Sequence, residues 1–183
     1  MNRVVYVAFL RGINVGGNTL IKMAELKKAF ESLRLHNVAS VLASGNVVFE
    51  TSKTDSASLT KRIEEKLRKR LGIQVIVIVR TGSQIVDLIK SDPFKNVKIG
   101  RRTKLQVTFL ADKVKNFRKL AIKSPSRGFE VVQTSKGEVY SAIDISANAG
   151  TPELMKLLEK EYGKKITTRT WNTIQKISKL VGS

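Results

Sequence analysis

Two arginines sit in settings where a guanidinium could hold an anion. Arg11 opens Arg11-Gly12-Ile13-Asn14-Val15-Gly16-Gly17, directly behind the apolar run of residues 4–10. Arg169 lies in Thr167-Thr168-Arg169-Thr170-Trp171-Asn172-Thr173, near the other end of the chain. In the first segment a glycine-rich turn can aim several backbone N–H groups at one point beside Arg11. In the second, the Thr168 hydroxyl and the Asn172 amide are expected at a helix start, where peptide dipoles favour negative charge. A third polar element, Ser44-Gly45-Asn46, has hairpin composition. Each also has a plainly structural reading, as a tight turn, a helix cap and a hairpin.

The chemistry on offer is binding, not bond making. Gly12-x-x-x-Gly16-Gly17 is neither GxGxxG nor followed by the Lys-Ser/Thr pair of a Walker loop. With no cysteine there is no thiolate nucleophile, no disulfide and no Cys-based zinc site. His36 is the only histidine, which excludes a His-based metal cluster. Glu64 and Glu65 are expected on a solvated helix face and Asp144 in a loop. No two carboxylates share the spacing or apolar setting that tunes an acid–base pair. No catalytic residue, cofactor or metal is assigned.

Charge is the unusual property of the chain. Its 183 residues carry 34 Lys and Arg against 15 Asp and Glu, a net charge of +19. Residues 95–127 hold eleven of those cations and a single acid, Asp112. Such a field attracts polyanions and speeds their association. Arg101, Arg102, Lys104, Lys113, Lys115, Arg118 and Lys119 are the expected nucleic-acid patch; the alternative is a solvated face. No window reaches the roughly 18 apolar residues of a membrane span, and no signal peptide is visible. A soluble cytoplasmic protein is expected.

The elements that must position these residues follow from periodicity. Met23, Leu26, Phe30 and Leu33 form one amphipathic stripe, and Leu59, Ile63 and Leu67 a second that ends at Gly72. Residues 38–42 and 46–50 are short strands about the Ser44 turn. Residues 75–79 are β-branched throughout and read as a central strand. Thr81-Gly82-Ser83-Gln84 matches a capping box. Residues 104–111 alternate, predicting a half-exposed strand with Lys104, Gln106 and Thr108 outward. A short helix around Val114, Phe117 and Leu120 is expected next, then a hairpin across residues 134–137. Thr151-Pro152-Glu153 opens a helix. The last helix is expected from the Thr167–Thr173 segment onward, with Trp171, Ile174 and Ile177 inward.

The first half thus reads β-α-β-β-α-β, the order of a ferredoxin-like split motif, and the second half is comparable. The fold class is α+β: two tandem ferredoxin-like subdomains, residues 1–94 and 95–183, joined at a basic connection. No residue-level repeat is visible along the chain.

LRGINVGG, MAEL, SGNVVF, DPF and TTRTWNT occur here together and in order. The chain resembles the bacterial and archaeal family called domain of unknown function 1697, from Val4 to about Leu180. Where the family usually has Asn, this chain has Thr170. The resemblance implies that the two subdomains interlock and that no activity is established. It also implies one shared locus for Arg11, Gly12, Asn14, Gly16, Gly17, Ser44, Asn46, Thr168, Arg169 and Asn172. The expected function is a non-catalytic module for a phosphate-bearing ligand, a nucleotide or nucleic acid. The alternatives are an enzyme that clamps a small phosphorylated or carboxylated substrate with Arg11 and Arg169, and motifs that only knit the fold.

Overall fold

An apolar strand buried on both faces must find a neighbour on each side. β1 (Arg3–Leu10) does so, with Tyr6 to Leu10 all buried. The computed structural model describes residues 3–14, 20–111, 122–147 and 150–182. β1 pairs antiparallel with β3 (Asn46–Ser52) and with β4 (Val77–Thr81), while β2 (His36–Ser40) pairs with β3. The sheet order is β2-β3-β1-β4. Helices α1 (Met23–Glu31) and α2 (Ser56–Leu71) bury Leu26, Phe30, Leu59, Ile63 and Leu67 against Tyr6, Ala8 and Phe49. Phe49 stacks on Tyr6 at 5.8 Å and meets Phe30 edge-on at 5.7 Å.

The expected caps are present. The Asp55 carboxylate accepts the Ser58 N–H at 2.9 Å, and Gly72 ends α2 with φ 67°. Gln84 Oε1 accepts the Thr81 N–H at 2.8 Å and Thr81 Oγ1 accepts the Gln84 N–H at 3.2 Å, closing the box that opens α3 (Gly82–Lys90).

A second antiparallel sheet has the order β6-β7-β8-β5-β9. Its strands are β5 (Thr103–Leu110), β6 (Ile122–Ser124), β7 (Phe129–Thr134), β8 (Glu138–Asp144) and β9 (Ile166–Thr170). α4 (Gly150–Tyr162) packs Leu154, Leu158 and Tyr162 on Val131, Val139 and Ile143. α5 (Trp171–Val181) follows β9. The chain is therefore mixed α/β, with two antiparallel sheets and five helices among the described residues. Contacts divide it into a first unit, Met1–Asp87 with Lys176–Ser183, and a second, Leu88–Gln175. Among the described residues no helix is long and apolar enough to cross a membrane.

Several sequence expectations change. β4 is an edge strand in the described sheet, not a central one. Its apolar run reports burial, and its outward Val77 N–H is taken by Glu64 Oε1 of α2 at 2.9 Å. Glu64 is accordingly half-buried, not on a solvated face. The face of β5 read as outward is covered by α4, against which Leu110 packs and whose Met155 meets Thr168 opposite Thr108, so Gln106 (4% exposed) and Thr108 (0%) are buried and Lys104 alone is exposed. Residues 166–170 form a strand where a helix start was expected. The expected helix around Val114, Phe117 and Leu120 lies outside the described residues.

The two sheets also share residues at matching register, which a linear reading does not reveal. Val7 of Val7-Ala8-Phe9-Leu10 faces Val48 and Arg80; Val107 of Val107-Thr108-Phe109-Leu110 faces Tyr140 and Arg169. Leu10 N–H donates to Gly45 O and Leu110 N–H to Gly137 O, both at 2.8 Å. Arg80 and Arg169 each donate Nη1 to the carbonyl of the preceding residue, at 3.0 and 2.8 Å. Each is followed by one threonine and then a helix. Loops of unequal length between the equivalents hide the correspondence.

Gly45 has φ 75°, and a Cβ there would lie 2.8 Å from Ile13 Cγ1 and 3.0 Å from Leu10. Gly12 has φ 71° with nothing within 4 Å of such a Cβ. Gly12→Ala should cost about 1 kcal/mol from backbone conformation alone. Gly45→Ala should cost about 3 kcal/mol, because the buried Ile13 must also move. Urea unfolding of both variants measures the difference.

Candidate functional site

Two of the polar motifs meet within the first unit. Asn14, at φ 54°, takes the left-handed conformation that asparagine tolerates. Its Nδ2 donates to Ile21 O and Ala43 O, each at 3.0 Å, and its Oδ1 accepts the Ile21 N–H at 2.7 Å. Asn46 is fully buried, with Nδ2 donating to Val41 O at 2.9 Å and to Ser44 Oγ at 3.1 Å. Both amides therefore tie turns together, as buried polar groups must. Arg11 is half-buried, its N–H bonded to Ile76 O at 2.9 Å, and Gly12 is exposed. Gly16 and Gly17 lie outside the described residues.

Thr168, Arg169 and Asn172 belong to the second unit. Thr168 Oγ1 shares a hydrogen bond with Thr108 Oγ1 at 2.8 Å and donates to Met155 Sδ at 3.2 Å. Arg169 Nη1 donates to Thr167 Oγ1 at 2.9 Å and Thr168 O at 2.8 Å. Withdrawal from water pushes this guanidinium down to about 10, which leaves it charged at neutral pH. Only Asn172, exposed in the first turn of α5, stands at the expected helix start. Thr170 caps that helix, its Oγ1 accepting the Thr173 N–H at 3.3 Å. Asparagine would cap equally well, so Thr170 is a conservative change.

The basic segment builds a more open feature. A groove of about 1150 Å³ within the second unit is lined by Lys95, Lys98, Arg101, Arg102 and Lys123. Its acids are Asp92, Glu130 and Asp144. Asp144 Oδ1 accepts the Ser146 O–H at 2.6 Å and N–H at 2.9 Å. Those bonds, with help from Arg102, hold its carboxyl below the usual range. Glu130 lies 3.9 Å from Lys123. The connection ahead of β5 is pinned by Phe94, which meets Tyr140 edge-on at 5.9 Å and Trp171 at 5.1 Å. The Thr103 N–H to Gly100 O bond at 3.0 Å and the Ile145 N–H to Arg102 O bond at 2.8 Å fix the Arg101-Arg102 turn.

Of the expected nucleic-acid patch, Arg101 and Arg102 line this groove and Lys104 is exposed on β5. Lys113, Lys115, Arg118 and Lys119 lie outside the described residues. Lys95, Lys98 and Lys123 join the groove although the patch read from sequence left them out. Their signal was the same charge run; what was missing was the β6–β7 pairing that carries Lys123 to the rim. Among the described residues no three His, Asp or Glu side chains are grouped to hold a metal ion.

Asn14→Gly keeps the left-handed backbone and removes three hydrogen bonds. It should lower stability by about 2–3 kcal/mol, which denaturant titration measures.

Comparison with known proteins places the chain. It is similar in structure to the conserved bacterial protein SP0830 from Streptococcus pneumoniae, with a TM-score of 0.69 and 20% identity. The match covers 98% of this chain and 99% of that one, and at this identity it speaks for the fold alone. No match was found among curated proteins. The sequence profile of the family described as protein of unknown function (DUF1697) matches residues 3–140, three quarters of the chain. The chain belongs to that family.

Proposed function

We propose that this protein is a non-catalytic binding module whose second unit takes a phosphate-bearing strand, single-stranded nucleic acid, along its basic groove. The carrying observation is that five cations outnumber three acids in one open concavity, with Lys123 set 3.9 Å from Glu130 and the other four cations, Lys95, Lys98, Arg101 and Arg102, carried by one connection. Phe94 and Phe129 are buried, and Tyr140 and Trp171 are turned to Phe94, so among the described residues the groove's rings serve packing and not base stacking. Recognition is then of the phosphate backbone, without sequence preference. Arg11 and Arg169 remain cations of the two units outside this groove.

The scaffold in this reading is a pair of ferredoxin-like units. Supporting it are the antiparallel orders β2-β3-β1-β4 and β7-β8-β5-β9, each the arrangement of a split βαββαβ motif, with β6 added at one edge. A stiff antiparallel sheet suits the task because the groove's floor, on β7 and β8, does not depend on the ligand for its shape.

With Lys123 set against Glu130, four phosphate contacts give a log–log salt slope of about −2.8 for a single strand. Affinity should therefore fall about fiftyfold between 50 and 200 mM salt. Fluorescence anisotropy of a labelled oligonucleotide reads this directly. Arg101→Glu with Arg102→Glu should abolish binding. Lys69→Glu with Lys176→Glu, an equal charge change at exposed sites of the first unit, should weaken it only slightly. Equal losses in the two double variants would reduce the effect to net charge and sink the proposal.

A further inference from the structure

The first unit has a basic concavity of its own, built differently from the groove. It measures about 680 Å³ and is lined by Arg3, Arg34, Arg62 and His36, with Thr51 and Ser52 among the other contributors. Among the described residues no acidic side chain lines it. Of the acids near in sequence, Glu31 pairs with Lys27 at 3.7 Å, Glu50 accepts the Asn37 amide at 2.9 Å, Asp55 caps α2 and Glu64 accepts the Val77 N–H, while Glu65 is exposed on α2. Among the described residues none of the three arginines makes an ion pair.

The choice of cation is also selective. The chain has 22 lysines and 12 arginines, yet all three strong cations here are arginine. A guanidinium presents a planar fork that matches phosphate oxygens two at a time, whereas an ammonium is a point charge. The backbone fixes the arrangement. Arg3 begins β1 opposite Ser52, Arg62 Nη2 is held on Leu33 O at 3.2 Å, and Arg34 leaves α1 with φ 60°. A left-handed non-glycine residue is strained, and such strain gathers at sites of function. Tyr6 fixes the rim, its hydroxyl donating to Thr54 O at 2.8 Å and accepting the Thr54 N–H at 2.9 Å.

We infer that this concavity is a site for a phosphate group, held by the forks of Arg3, Arg34 and Arg62. The inference is independent of the groove in the second unit. The phosphate could be free, carried on a small phosphomonoester, or stand at the end of a strand; the recognition chemistry is the same.

Isothermal titration of the full chain with inorganic phosphate at low salt is the primary test, and saturable binding is expected. The Arg3→Ala, Arg62→Ala double variant should bind at least about tenfold more weakly, a loss of 1.4 kcal/mol. Arg34→Gly, which keeps its left-handed backbone unstrained, should do likewise. Arg3→Lys with Arg62→Lys keeps the charge and should still lose most of the affinity. The Arg101→Glu, Arg102→Glu variant should bind phosphate as wild type does, separating failure here from failure of the groove reading. Comparing 5′-phosphorylated with 5′-hydroxyl oligonucleotides in that variant, beside a small phosphomonoester, distinguishes the sources. No saturable heat with phosphate, or lysine variants equal to wild type, would overturn the site.

Discussion

The edge-on contact of Phe94 with Tyr140 and Trp171 is the interaction on which the basic groove depends. Without an apolar anchor, a connection carrying Lys95, Lys98, Arg101 and Arg102 would spread into water, because like charges within a Debye length repel. The buried ring holds the connection against β8 and α5 and leaves its cations at the surface. The Asp-Pro-Phe sequence is thus an anchoring device: Pro93 bars further helix after α3 and Phe94 supplies the contact. A fixed array of cations is also what binding requires, since its ordering and repulsion are met during folding and not again with the ligand.

The same logic explains why the amides of Asn14 and Asn46 are engaged by the fold. Asn14 and Asn46 occupy turns where backbone N–H and C=O groups would otherwise lack partners. Burying such a group unbonded costs more than a formed hydrogen bond returns. Polar residues in tight, half-buried turns are therefore absorbed by the fold first. Cations on long exposed side chains are not, and these line both concavities.

Much of the architecture was legible in the chain. The stripes of α1 and α2, the Thr81 capping box, Gly72 and the hairpin of β7 with β8 all follow from local chemistry. What failed was inference about neighbours. A continuous apolar run reports burial, and β4 is buried at a sheet edge because α2 covers it. Alternation reports two unlike faces, yet the polar face of β5 is covered too, with Thr108 bonded to Thr168. β9 was missed because Thr-Thr-Arg-Thr looks like a polar cap, although β-branched threonine is a strand former. For the groove, the charge run was plain in the sequence. Which members share one concavity depends on β6 pairing with β7 and on the Phe94 anchor, and neither is a local property.

The most direct test is an amide chemical-shift map of the labelled protein titrated with a single-stranded oligonucleotide at low salt. The account predicts shifts concentrated in residues 91–103, at Lys123 and along the facing residues of β7 and β8, saturating together. Shifts spread in proportion to surface charge, with the lysines of α2 moving as much as the groove, would contradict it.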